Sequence, residues 1–242
     1  MGSLYVIGTP IGNLEDITIR AINTLNDVDG IIAEDTRTAK KLLNKYNINK
    51  PLISFHKDSS KNKLNKILSG LNEDSYALIS EAGTPVISDP GIDLIYQAGE
   101  LGFSIIPIPG PSSVTSGLSV SGMKGDSFFF LGFLPRRSKE RLLDLNRVKN
   151  INETLVLFES PHRLLRSLED MKTILGDRRI TICREMTKIY EEVFRGIISE
   201  AIRHFEKPRG EFCIVIEGDL YPDDSNTEDP QWIIEELKLL KN

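Results

Sequence analysis

Two acid–base pairs in this chain have the types and spacing for proton transfer. Asp35 and Arg37 close the run GIIAEDTR, and Glu185 and Lys188 close TICREMTK. In each, a carboxylate and a cation stand close together just after an apolar, β-branched run, at what reads as a strand end. A carboxylate within hydrogen-bond reach can take the proton of a weakly acidic hydroxyl, and a lysine can do so where burial or neighbouring cations lower its pKa. The competing reading is structural: an ordinary strand-end ion pair for Asp35 and Arg37, and a stitch across the FESPHR turn for Glu159 and Arg163. Metal chemistry has less support. His56, His162 and His204 are scattered, Cys183 and Cys213 match no zinc spacing, and no HExxH occurs. The expectation is a metal-independent mechanism, with both cysteines as buried thiols.

Such groups need elements to position them, and three segments in the first half repeat one design. LYVIGTPIGN (4–13), YALISEAGTPVISDPG (76–91) and FSIIPIPGPSS (103–113) each run from a short apolar strand into glycine and proline. In open α/β sheets, ligands bind beyond the strand carboxyl ends, so three such loops predict a cleft for a small molecule. Gly8-Thr9-Pro10-Ile11-Gly12 puts proline where a dinucleotide fingerprint has its second glycine, and no glycine precedes Lys-Ser or Lys-Thr as a phosphate-cradling loop requires. Nicotinamide and nucleotide-hydrolase chemistry are therefore disfavoured.

Strand and helix patterns alternate up to about residue 121, predicting an α/β unit over 1–121 with a mainly parallel sheet. A polar, glycine-containing stretch at Gly122–Ser127 reads as a linker to a second α/β unit over 127–219 with a mixed sheet. Residues 220–242 read as an acidic linker and one short terminal helix. The 242 residues are 40% hydrophobic and 27% charged, with no apolar run of the roughly 18 residues that a membrane helix needs. The amino terminus lacks a signal-peptide pattern, so the cytoplasm is the expected location. Net charge is −5, but 220–242 holds 6 acidic and 2 basic residues, so much of that acidity sits in the tail. Early in the second unit, Arg136, Arg137, Lys139 and Arg141 cluster after FFFLGFLP and are expected to face phosphates.

These motifs together resemble the tetrapyrrole methylase superfamily over nearly the whole chain. With FESPHRLLRSL, REMTKIYEEVFRG and GEFCIVIEG, the expanded GTPVISDPG loop is similar to the branch that methylates a cytidine 2′-oxygen in small-subunit ribosomal RNA. The resemblance implies a two-domain fold, S-adenosylmethionine held between the domains, a homodimer, and RNA within the small ribosomal subunit as partner. It further implies that Pro10 and Ile11 close one side of the methionine part of the cofactor, and that Gly83, Thr84 and Ile87 present backbone beneath it. Ser112 and Ser113 would offer helix amides to its carboxylate, and Phe158 and Met186 would line the adenine slot. Two departures stand out: Glu81 replaces the family's usual aspartate, and the family's basic helical extension is replaced here by an acidic stretch. A tetrapyrrole carbon methyltransferase on the same fold and a non-catalytic ribosome-assembly factor are the competing readings.

Overall fold

The computed structural model describes residues 1–220, so the linker and helix expected over 220–242 lie outside the described residues save Leu220. The first half alternates through β1 (Ser3–Ile7), α1 (Ile19–Asp27), β2 (Gly30–Ala33), α2 (Thr36–Lys45) and β3 (Leu52–Ser54). It continues through α3 (Lys61–Gly70), β4 (Tyr76–Ile79), α4 (Ile92–Glu100) and β5 (Ser104–Ile108). All five strands are parallel, in the order β3-β2-β4-β1-β5.

Parallel strands need crossovers, and the helices supply them on both faces. Ala21, Leu25, Leu42 and Leu43 of α1 and α2 bury against Ile31, Ala33, Ala77 and Ile79. Leu64, Ile67, Leu68 and Leu94 of α3 and α4 bury against Ile32 and Leu78. Successive residues of β2 and β4 thus face opposite cores, as the two-residue strand period requires. Helix starts are set locally: Thr18 caps α1 by accepting from the Ala21 N–H at 3.1 Å, and Ser60 caps α3 by accepting from that of Lys63 at 3.3 Å.

The second half contains α5 (Ser113–Ser121), β6 (Phe128–Phe133), α6 (Ser138–Arg147), β7 (Thr154–Glu159) and α7 (Leu164–Leu175). After these come β8 (Arg179–Arg184), β9 (Glu192–Ile197), α8 (Ile198–His204) and β10 (Phe212–Ile216). The sheet order is β6-β7-β10-β8-β9, with β6 and β7 parallel and every other pairing antiparallel. Leu145, Leu164, Leu168, Ile198 and Ala201 of α6, α7 and α8 fill one face. The opposite face belongs to α5, whose Val114 packs with Val156, Cys183, Cys213 and Val215.

That packing bears on the expected division at residue 121. The Cys213 thiol donates to Ser113 O at 3.3 Å, and the hydroxyls of Thr181 and Thr154 donate to Ser121 O at 3.1 Å and Lys124 O at 2.7 Å. By packing, α5 goes with the second sheet rather than the first, so we propose a division at Pro109–Pro111, between β5 and α5, in place of residue 121. Helix α7 begins only at Leu164, because Pro161, His162 and Arg163 form a turn closed by Ser160 O, which accepts from Arg163 and Leu164 at 3.1 Å each.

Candidate functional site

The three glycine-proline loops leave β4, β1 and β5, which are neighbours, at one edge of the parallel sheet. Backbone holds them together. Thr9 N–H donates to Gly83 O at 2.8 Å and Gly83 N–H to Thr9 O at 3.1 Å, while a Cβ placed on Gly110 would stand only 2.5 Å from Gly8 O. Glycine at 8 and 110 is what lets the β1 and β5 loops touch main chain to main chain.

The second unit closes the space. At Gly132, φ is +60° and the β6/β7 register shifts between Phe130 and Phe133, a bulge that turns Phe133 into the wall. The Phe133 ring lies 5.5 Å from that of Phe158, which also meets Phe130 edge-on at 5.0 Å. Opposite, Asn13 N–H donates to the Thr187 hydroxyl at 2.9 Å, joining the β1 loop to the loop after β8. The result is a cavity of about 440 Å³ between the two sheets.

Of the residues expected to hold a cofactor, Ile11, Gly83, Thr84 and Ile87 line this cavity from the first unit. Ser112, Ser113, Phe158 and Met186 line it from the second. Pro10 does not line it; it is buried within the β1 loop. Ser112 makes no side-chain capping bond to α5, so the first amides of that helix open onto the cavity with the positive end of its dipole. Backbone strain marks both lips: φ is +75° at Val86, +67° at Ser88, +49° at Glu185 and +64° at Thr187. Such conformations each cost about 1–3 kcal/mol and persist where a site imposes them.

The expected acid–base pairs are placed differently. Asp35 is the N-cap of α2, accepting from Arg37 N–H at 2.7 Å, and its carboxylate pairs with the Arg37 guanidinium at 3.3 Å outside the cavity wall. That backbone hydrogen bond, with the guanidinium behind it, holds the Asp35 carboxyl below its ordinary value. Glu185 accepts from Glu211 N–H at 2.9 Å and from Lys188 at 3.0 Å, and Lys188 also pairs with Glu211 at 2.8 Å. Partial burial pushes Lys188 down, but the hydrogen bonds and charges of Glu211 and Glu185 outweigh it and the net shift is upward. The lysine stays a cation rather than becoming a base. Glu159 is wholly committed, to Ser160 N–H at 2.8 Å, to Ser167 at 2.5 Å and to Arg163 at 2.7 Å.

Sequence reasoning overlooked Asp89, whose carboxyl lies on the cavity wall. Burial first, then the charges of Glu34 and Glu81, push it up to about 6, against the opposing hydrogen bond with Ser80. Burial and Glu81 raise Glu34 as well, against the charge of His56. The signal was present in the SDPG end of the second loop. Cys183 and Cys213 also line the cavity, and burial raises their thiols to about 11 and about 12. In the basic cluster, Arg136, Arg137 and Lys139 are exposed, with Arg137 paired to Glu140 at 3.2 Å. Arg141 is buried: its guanidinium binds Asp170 at 2.6 Å and donates to the carbonyls of Pro135 and Arg136 at 3.1 and 3.2 Å. The expected basic surface therefore has three members, not four. Among the described residues, no group of three or more His, Cys, Asp or Glu side chains could hold a metal ion, and no helix is long and apolar enough to cross a membrane.

A parallel sheet with three backbone-linked loops, facing a mixed sheet across one cavity, defines a two-unit methylase architecture. The model of the tetrapyrrole (corrin/porphyrin) methylases matches residues 3–202, and the chain belongs to that family. It is 52% identical over 221 residues to ribosomal RNA small subunit methyltransferase I of Thermotoga maritima, covering 90% of this chain and 99% of that one. With the protein of the same name from Bacillus subtilis it shares 45% over 235 residues, covering 96% and 80%. Among solved structures, a cobalt precorrin-4 methyltransferase superposes with a TM-score of 0.64 at 18% identity, covering 89% of this chain and 94% of that one. A diphthine synthase superposes with a TM-score of 0.69 at 14% identity, covering 90% of each. The cofactor of the family is S-adenosylmethionine. The cavity fits it: an aromatic and apolar slot at Phe133, Phe158 and Met186, a glycine-lined floor at Gly83, and free helix amides for a carboxylate.

Proposed function

We propose that this protein methylates small-subunit ribosomal RNA at the 2′-oxygen of a cytidine. The supporting observation is that the loops of β1, β4 and β5 meet Phe158 and Met186 around one cavity in a chain of this family. The relatives' shared name supplies the substrate class. When bound, S-adenosylmethionine supplies an electrophilic methyl on a sulfonium and leaves as the neutral thioether.

The chain's own contribution is placement and one proton. The amides at Ser113 and Val114 fix the carboxylate of the cofactor, and Phe158 and Met186 confine its base. Asp89 accepts the proton that the ribose hydroxyl loses as its oxygen takes the methyl. A carboxyl near 6 is largely ionised at pH 7 yet more basic than an ordinary aspartate, which suits it to that task. We further propose a cytoplasmic homodimer; exposed Ile189 and Tyr190, beside the cavity loop, are apolar side chains available to a partner.

The test is transfer of labelled methyl to assembled small subunits, naked RNA and a tetrapyrrole, followed by alkaline hydrolysis of the labelled RNA. A 2′-O-methyl blocks cleavage at its own phosphodiester, so the label should remain in an alkali-resistant dinucleotide. Label on a base, or on the tetrapyrrole alone, would overturn the reading.

A further inference from the structure

A second depression, of about 390 Å³, lies outside the cavity. Its position follows from topology. Because β6 and β7 are parallel and each is followed by a helix, α6 and α7 both begin at the same sheet edge. The two spaces share walls: Phe133 lines the cavity and Arg136 the depression, and Pro161 lines the cavity while His162 lines the depression.

Four arginines line this depression, and two of them are committed to the fold. Arg141 is held by Asp170 at 2.6 Å and Arg163 by Glu159, which is itself buried. Arg136, Arg166 and His162 are exposed, and their side chains make no hydrogen bond or ion pair among the described residues. One exposed carboxylate, Glu169, stands against them. Neither helix start carries a side-chain cap, and the amino ends of α6 and α7 both bear the positive end of a dipole. His162 has the one ring among the lining residues, so the depression offers no platform for stacked bases.

We infer that this depression holds a backbone phosphodiester of the RNA strand whose ribose enters the cavity, gripped by Arg136 and Arg166. The inference rests on the proposed RNA methylation and adds the place where the strand is anchored. Contacts of this kind set position and register and carry no sequence information.

The test is the double variant Arg136→Gln with Arg166→Gln, compared with the parent on assembled small subunits and on a single-stranded RNA oligonucleotide. Both side chains are exposed and unpartnered, so their loss strands no buried charge. Expected are a KM for subunits raised about tenfold and a salt dependence of RNA binding flatter by roughly 1.4 log–log units, 0.7 per lost contact. The kcat and the cofactor affinity should match the parent. Inorganic phosphate alone, titrated while the His162 ring is followed by NMR, should bind the parent and not the double variant. An unchanged KM and salt slope in an active parent overturn the anchor alone, and if phosphate still binds, the depression takes free phosphate instead. A parent that methylates no RNA overturns the functional reading together with this one.

Discussion

At Asp89 the environment sets both the chemistry and a cost. Its folded pKa of about 6 lies above an unfolded value near 3.9, so the fold prefers the neutral carboxyl. The stabilising contribution is therefore fully present below about pH 4 and is lost as pH rises through 6. Asp89→Asn should melt higher than the parent at pH 7.5, with the difference vanishing by pH 4, while its kcat falls by two or more orders of magnitude. Scanning calorimetry and single-turnover rates check the two halves, and a variant that keeps its kcat removes Asp89 from the proton path. A probe of the cofactor site must respect the backbone. Gly83 sits at φ +77°, and a Cβ there would stand 3.3 Å from Ile11 Cγ2, so a valine would strain the loop as well as block the site. Ser113→Pro is cleaner. Position 113 opens α5, the preceding Ser112 is already extended at φ −144° and ψ 125°, and proline at a first helical position removes an amide without breaking the helix. Cofactor affinity should fall roughly ten- to hundredfold by calorimetry, as expected for a lost bond to a charged group, with little change in melting temperature.

Among the elements, α5 shows where sequence reading stops. The strand-loop units were legible because apolar runs end in Gly-Pro turns, and the parallel and mixed sheets follow from the expected alternation. Which sheet a small-residue helix packs on depends on contacts across the chain, and nothing in SVTSGLSVS reports the thiols of β8 and β10. Gly117 explains that packing: a Cβ there would lie 2.9 Å from Cys213 Sγ. Gly117→Ala gains roughly 1 kcal/mol in helix propensity, yet should be destabilised by about 1–2 kcal/mol net because the core is overpacked. Denaturant midpoints check this, and adding Cys213→Ala should recover most of the loss. Arg141 was misread for a related reason. Its charge is visible in the sequence, but its burial against Asp170 follows from how α6 lies on α7.

For the whole molecule, the contact between the units at the mouth of the cavity is narrow. Asn13 N–H meets the Thr187 hydroxyl, and beside it a Cβ on Gly12 would stand 2.8 Å from Met186 O. Thr187→Val keeps the branched shape and removes the acceptor, a loss of about 0.5–1.5 kcal/mol. Stopped-flow measurement should find cofactor leaving roughly two- to tenfold faster, with the secondary structure intact. An unchanged rate would mean that this contact does not gate the cavity. The cavity itself was foreseeable from three loops at strand ends. The proposed proton acceptor was not, because the raised pKa of Asp89 comes from burial and from Glu34 and Glu81, brought together by the adjacency of β2 and β4.

The two thiols on the cavity wall bear on self-damage. A sulfonium methyl donor is an alkylating agent, and a thiolate is among the best nucleophiles a protein contains. With its pKa raised to about 11, Cys183 is ionised in roughly one molecule in ten thousand at pH 7, and Cys213, at about 12, in fewer still. The apolar packing of α5 on β8 and β10 thus disfavours the reactive thiolate on walls that face the methyl donor. Mass spectrometry after prolonged incubation with cofactor alone should find no methyl on either cysteine.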